Sequence, residues 1–233
     1  MAEQTQNLTF SSGGVQLKGY LARPEGDGPF PGVVIIHEIF GLNDNIRDIA
    51  RRFAAEGYLA LAVDLFAGRN RVICMLRIIG DLFFKSADKS SGVRDLKAGI
   101  DLLAEQEGVD KARLGAIGFC MGGSYAIALG CSDNRIKVIA PYYGMNPRQY
   151  DEVVKRTCPV VASYPNKDFT TKPGQKLVAA LEQYNIPHDV KVYEAKHSFF
   201  NDTGPNYDEA AAKDSWQRVM DFFQQYVGQP VSK

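Results

Sequence analysis

The 233-residue chain is predicted to form an α/β domain, with a mostly parallel central sheet flanked by helices on both faces. Three observations predict this. Short β-branched runs, nearly continuous in apolar character, suit strands buried on both sides. Stretches of helical periodicity alternate with them, the pattern that gives a parallel sheet with crossover helices. No repeat, low-complexity tract or long linker divides the chain. Residues 1–233 are therefore expected to form a single domain, with 68–91 as a cap or pocket wall.

Leu8 to Ser11 and Val15 to Ala22, separated by Gly13-Gly14, read as an antiparallel hairpin at the sheet edge. Val33 to Ile36 is the first continuous apolar run. Ile46, Ile49, Ala50, Phe53 and Ala54 then follow helical spacing, with Asn43 able to cap the start and Gly57 to end the helix. Leu59 to Val63 is the next strand. Val93, Leu96, Ile100 and Leu103 mark a helix closed by Gly108, before the strand Leu114 to Ile117. Further strands fall at Lys137 to Ala140, Val160 to Ala162 and Val190 to Tyr193. A helix beginning near Pro173 should bury Leu177, Val178 and Leu181. Trp216, Val219, Met220, Phe223 and Val227 mark the last helix.

Composition narrows the function classes. The chain is 45% hydrophobic and 23% charged, as an ordinary globular protein is. Lys+Arg and Asp+Glu both total 27, so neither a nucleic-acid footprint nor a polybasic membrane anchor is expected. The polar start Met1 to Asn7 has no signal-type apolar stretch, and no apolar run approaches the ~20 residues that span a bilayer. A cytoplasmic protein with reduced thiols is expected. The four cysteines (74, 120, 131 and 158) form no C-x-x-C pair, and the three histidines (37, 188 and 197) have no zinc-site spacing, so no metal is expected. The glycines at 118, 122 and 123 fit no nucleotide-binding pattern, so no cofactor is expected either.

In an open parallel sheet, ligands bind outside the carboxyl ends of the strands. His37-Glu38, Cys120, Lys167-Asp168 and Lys196-His197 all follow strands, so a thiol, two carboxylates and an imidazole converge on one edge. Gly118-Phe119-Cys120-Met121-Gly122-Gly123 has the G-x-S-x-G form with cysteine at the nucleophile position. Such an elbow places the thiol at a helix amino terminus, where the dipole favours thiolate and the Met121 N–H can face a developing oxyanion. Cys74, Cys131 and Cys158 sit in no equivalent turn and read as structural. His188 precedes its strand, and His37 precedes the nucleophile. Only His197 both follows a strand and comes after Cys120 and Asp168, giving the chain order nucleophile, acid, histidine. His197 would take the thiol proton and Asp168 would orient the ring.

The chain resembles the dienelactone hydrolase family of cysteine-dependent α/β-hydrolases. The resemblance runs from about Pro31 to Val227. It rests on His37-Glu38-Ile39-Phe40-Gly41-Leu42-Asn43, Gly57-Tyr58, Asp64-Leu65, the cysteine elbow, Tyr142-Tyr143-Gly144, Asn166-Lys167-Asp168, His197-Ser198-Phe199 and Asn201-Asp202. It implies an α/β-hydrolase fold and a catalytic role for Glu38 beside the thiol, controlling its ionisation until substrate binds. It also implies that Ile39 supplies the second oxyanion-hole N–H. Phe40, Tyr143, Phe199, Phe200 and Arg77 become candidate substrate-binding residues. The best-known type in the family carries an arginine shortly after the histidine to bind a substrate carboxylate. Here Phe199, Phe200 and Asn201 follow instead. Arg77 could supply a cation, or could simply face water from a helix, and Val72 to Phe84 could form an apolar lid or a dimer contact.

The expected function is cofactor-free hydrolysis of small esters or lactones through an acyl-cysteine intermediate, by a monomer or homodimer. A short-chain carboxylesterase or thioesterase with an apolar acyl pocket at Phe199 and Phe200 is the nearest alternative. A non-catalytic binding protein on the same fold is the alternative of another class.

Overall fold

The computed structural model describes residues 4–66, 73–74, 76–77, 80–81, 89–147 and 153–228. Among them, eight strands form one sheet in the order β1-β2-β4-β3-β5-β6-β7-β8. The strands are β1 (Gln4–Ser12), β2 (Val15–Arg23), β3 (Phe30–Ile36), β4 (Leu59–Asp64), β5 (Val109–Phe119), β6 (Ile136–Tyr142), β7 (Val160–Pro165) and β8 (His188–Tyr193). The helices are α1 (Asp44–Ala55), α2 (Ser91–Ala104), α3 (Met121–Ser132), α4 (Thr171–Gln183) and α5 (Glu209–Val227).

The expected edge hairpin is present. β1 and β2 pair antiparallel from Ser12↔Val15 to Gln4↔Arg23. Gly13 and Gly14 both take positive φ, 54° and 78°, the turn whose twist matches a two-residue hairpin. β2 also pairs antiparallel with β4, and from β4 to β8 every pairing is parallel.

Why the central runs are apolar without alternation is plain from β3, buried at all seven positions. Val34 and Ile36 pack with α2 and α3 residues such as Leu96, Ile100 and Ala126. Val33 and Ile35 pack on the other side with Ile46, Ile49 and Phe53 of α1 and Phe223 of α5. Each strand residue therefore serves one of two cores, and neither face has room for polar groups.

Asn43 caps α1, its side chain accepting from the Ile46 N–H at 3.0 Å. Gly57, just past the helix, has φ 88°. Several expectations shift. β8 begins at His188, which therefore lies in the strand and not ahead of it. α4 buries Ala180 rather than Val178 beside Leu177 and Leu181. Two further boundaries move for a local reason. α2 stops at Ala104, before Gly108, which has φ 74° and accepts the Phe30 N–H on its carbonyl at 2.6 Å. β5 begins at Val109, ahead of its apolar run, because Phe30 and Pro31 pair with Val109 and Asp110.

The chain leaves β3 through α1 to β4 on one side, then returns through α2 to β5 on the other. The crossover direction thus reverses between β3 and β5, which is where a crevice opens in such sheets. Glu38 follows β3 and Cys120 follows β5.

Candidate active site

The elbow is built by close approach of backbones. Cys120 has φ 54° and ψ −114°, sits at the start of α3, and donates its N–H to the Tyr142 carbonyl at 3.0 Å. A Cβ at Gly118 would collide with the Gly122 carbonyl, and one at Gly122 with the Ile36 carbonyl. Neither neighbour is a side chain that can move aside. The glycines let helix, turn and sheet meet, and Cys120 rides on the bend.

The thiol does not rest as the helix terminus alone would suggest. Burial first, then the Glu38 charge, push Cys120 up to about 12, while the Met121 N–H pulls the other way. Removing an anion from water outweighs the pull of a helix end.

His197 Nδ1 lies 2.8 Å from Asp168 Oδ2, leaving Nε2 for proton exchange. Burial raises the Asp168 carboxyl, but the Thr170 hydroxyl and His197 outweigh it and hold the group below the usual carboxylate range. Thr170 bonds Asp168 Oδ2 through its hydroxyl and its N–H. Thr171 ties the same turn, its Oγ1 accepting the Asp168 N–H at 3.1 Å and donating to the Pro165 carbonyl at 2.7 Å.

Glu38 is 3% exposed, and both carboxylate oxygens are occupied. Oε1 accepts from the Ser198 hydroxyl at 2.8 Å and Oε2 from Asn201 Nδ2 at 3.1 Å. Asn201 is oriented in turn, since its Oδ1 accepts from the Thr203 N–H and hydroxyl. Burial raises the Glu38 carboxyl above its ordinary value, against the lowering effects of Ser198, Asn201 and His197. His37 is fully buried. Its Nε2 accepts the Leu65 N–H at 3.0 Å, so Nδ1 carries the proton and donates to the Glu38 carbonyl at 2.5 Å. It braces the loop that carries Glu38.

The remaining expected site residues divide. Ile39 and Phe40 are exposed at 38% and 52%, and Met121 is the first residue of α3. Tyr143 has φ 39°, donates its N–H to the Ser163 carbonyl and lies with its ring centroid 4.9 Å from that of His197. Burial, then the nearby Glu38 charge, push its phenol well up.

Phe199 and Phe200 are not pocket walls. They are 0% and 2% exposed, packed against Tyr142, Tyr193, Phe119 and Trp216. The chain turns inward after Ser198, and burial of two phenyl rings drives it there. Arg77 is not an unpaired cation either. It lies 3.5 Å from buried Asp95, which also accepts from Arg94 and the Ser12 hydroxyl. Arg69, Arg71, Phe83, Phe84, Lys85 and most of 68–91 lie outside the described residues; within Val72 to Phe84, where the lid reading falls, the described Ile73 and Leu76 are exposed and Cys74 is buried.

Sequence reasoning gave no role to Thr170, Ser198, Asn201, His37 and Phe169, which contact the named groups. His37, Ser198 and Asn201 stood in the motifs that carry the resemblance, and the threonine pair after Asp168 carried a local signal, because Asp-x-Thr turns brace themselves. Among the described residues, no cluster of His, Cys, Asp and Glu is placed to hold a metal, and no helix is long and apolar enough to cross a membrane.

A strand-to-helix elbow at the reversal point of a mostly parallel eight-stranded sheet is the arrangement of the α/β-hydrolases. The match to known sequences is narrower. The chain belongs to the dienelactone hydrolase family, whose model matches residues 17–227, and is a hydrolase of the ester or lactone type. A protein of Saccharolobus solfataricus provisionally named carboxymethylenebutenolidase is 30% identical over 255 residues, covering 93% of this chain and 97% of that one. An Escherichia coli K12 protein with the same provisional name is 33% identical over 233 residues, covering 93% and 85%. The crystal structure of a provisionally named dienelactone hydrolase from Klebsiella pneumoniae superposes with a TM-score of 0.83. It is 31% identical and covers 97% of this chain and 100% of that one.

Proposed function

We propose that the protein hydrolyses small esters or lactones of the dienelactone kind through an acyl-Cys120 intermediate. One observation carries the reading. Glu38, whose charge acts on the Cys120 thiol, is hydrogen-bonded to Ser198, the neighbour of an imidazole already paired with Asp168. These contacts support the reading that thiol, base and orienting acid act at one site.

In acylation, the Cys120 Sγ–H proton passes to His197 Nε2 as Sγ bonds to the acyl carbon. The N–H groups of Met121 and Ile39 hold the oxyanion. The C–O bond breaks as His197 returns the proton to the leaving oxygen. In deacylation, water gives a proton to His197 and attacks the thioester, releasing the acid and restoring the thiol. Asp168 keeps Nε2 available throughout. Glu38 helps hold the resting thiol protonated until a substrate arrives.

A neutral, apolar acyl group is the second reading. Exposed Phe40, and the uncharged Asn201 beside Glu38, favour a short-chain ester or thioester over a carboxylate-bearing lactone. The test is steady-state hydrolysis of dienelactone beside a short p-nitrophenyl ester, by wild type and Cys120→Ala. Loss of about 10³-fold or more in the variant supports the nucleophile. Turnover that survives the substitution overturns it, and the preferred substrate decides between lactone and simple ester.

A further inference from the structure

We propose that Phe169 is a positioning residue for proton transfer, its ring holding the His197 imidazole at the tilt from which Nε2 serves Cys120. The proposal rests on the reading of His197 as the base. The Phe169 and His197 rings are stacked, with centroids 4.9 Å apart and planes 26° from parallel. Phe169 is nevertheless 65% exposed. A phenyl ring left so open gains little from burial, so core packing does not explain its place.

The Nδ1 bond to Asp168 fixes one edge of the imidazole but leaves the ring free to tilt about that bond. Facial contacts remove this freedom. Tyr143, 1% exposed, supplies one contact at 4.9 Å and 55°, and Phe169 supplies the stacked one. Phe169 is itself well placed to do so. It follows Asp168 in the turn closed by the Thr171 N–H on the Asp168 carbonyl at 3.1 Å and by the Thr170 N–H on Asp168 Oδ2 at 3.3 Å. One braced turn therefore presents both the acid and the stacking ring. When the imidazole takes the thiol proton, the Phe169 face keeps the ring in place through the transfer.

Two measurements test this. In a Cys120→Ala background, where no turnover is needed, the ring protons of His197 are followed by NMR. The Phe169 ring current is expected to hold them upfield, and Phe169→Ala to release them downfield. In the Cys120 enzyme, Phe169→Ala is expected to lower kcat about 3- to 10-fold with KM nearly unchanged. Phe169→Tyr should restore kcat and Phe169→Leu should not. Unmoved His197 resonances overturn the proposal. So does a raised KM at unchanged kcat, which would make Phe169 a wall of the substrate mouth. Rescue by leucine as complete as by tyrosine also overturns it, because apolar cover would then suffice. The two readings fail separately: turnover surviving His197→Ala sinks the base, whereas normal dependence on His197 with unchanged kcat in Phe169→Ala sinks only the positioning role.

Discussion

Gly122 shows how much of the site is decided by atoms that do no chemistry. A methyl group there would enter the space of the Ile36 carbonyl, and β3 cannot recede without breaking its pairing with β4 and β5. Gly122→Ala is expected to lower stability by about 2–4 kcal/mol, read from the urea midpoint, with ester turnover falling alongside. The requirement for small residues at the bend is local, which is why Cys120 could be picked out from the sequence. Asp168 and His197 could be named as candidates for a related reason: each lies in the loop just past a strand of the parallel sheet. Phe199 and Phe200 were not. An apolar pair after a histidine records only a preference for leaving water, and the core satisfies that preference as well as a pocket does.

At the scale of elements, α1 matters because it follows directly from the loop that carries Glu38. Its cap is a single side chain, Asn43, which satisfies the Ile46 N–H. Asn43→Ala is expected to cost about 1 kcal/mol, measurable as a lower urea midpoint with an unchanged slope. Helix interiors were readable from periodicity, since Ile46, Ile49 and Phe53 must share a buried face. Helix and strand ends were less so. Gly108 suggested the end of α2, but its positive φ serves the loop that meets Phe30, and the helix stops earlier. The polar start of β5 could not be read from hydrophobicity, because its pairing with Phe30 and Pro31 is a property of two distant segments.

For the whole molecule, the buried carboxylates make stability depend on pH in opposite senses. Asp168 is depressed in the folded state, so its contribution is complete above the ordinary carboxylate value and is lost as pH falls through the depressed one. Glu38 is raised, so its contribution is complete below the ordinary value of 4.5 and is lost as pH climbs through the raised one. Thr170→Val removes a hydroxyl from Asp168 at nearly constant volume. The loss in urea midpoint relative to wild type is expected to be steady well above the ordinary carboxylate value of 3.8, equivalent to about 1–2 kcal/mol, and to shrink as pH falls below it. A difference that stays constant across that range would show that Thr170 acts through packing alone. Sheet order and the reversal between β3 and β5 were not visible in any one stretch of sequence, yet the residues following the strands had already marked that edge.

The resting thiol carries a consequence for the enzyme's life among oxidants. With burial and the Glu38 charge pushing Cys120 up to about 12, the thiol rests almost wholly protonated at neutral pH. Peroxide and simple alkylators attack the thiolate, so a chance encounter with either seldom ends in sulfenic acid or a dead adduct. Burial and a neighbouring carboxylate, which look like handicaps for the nucleophile we propose, thereby act as chemical armour for the Cys120 thiol.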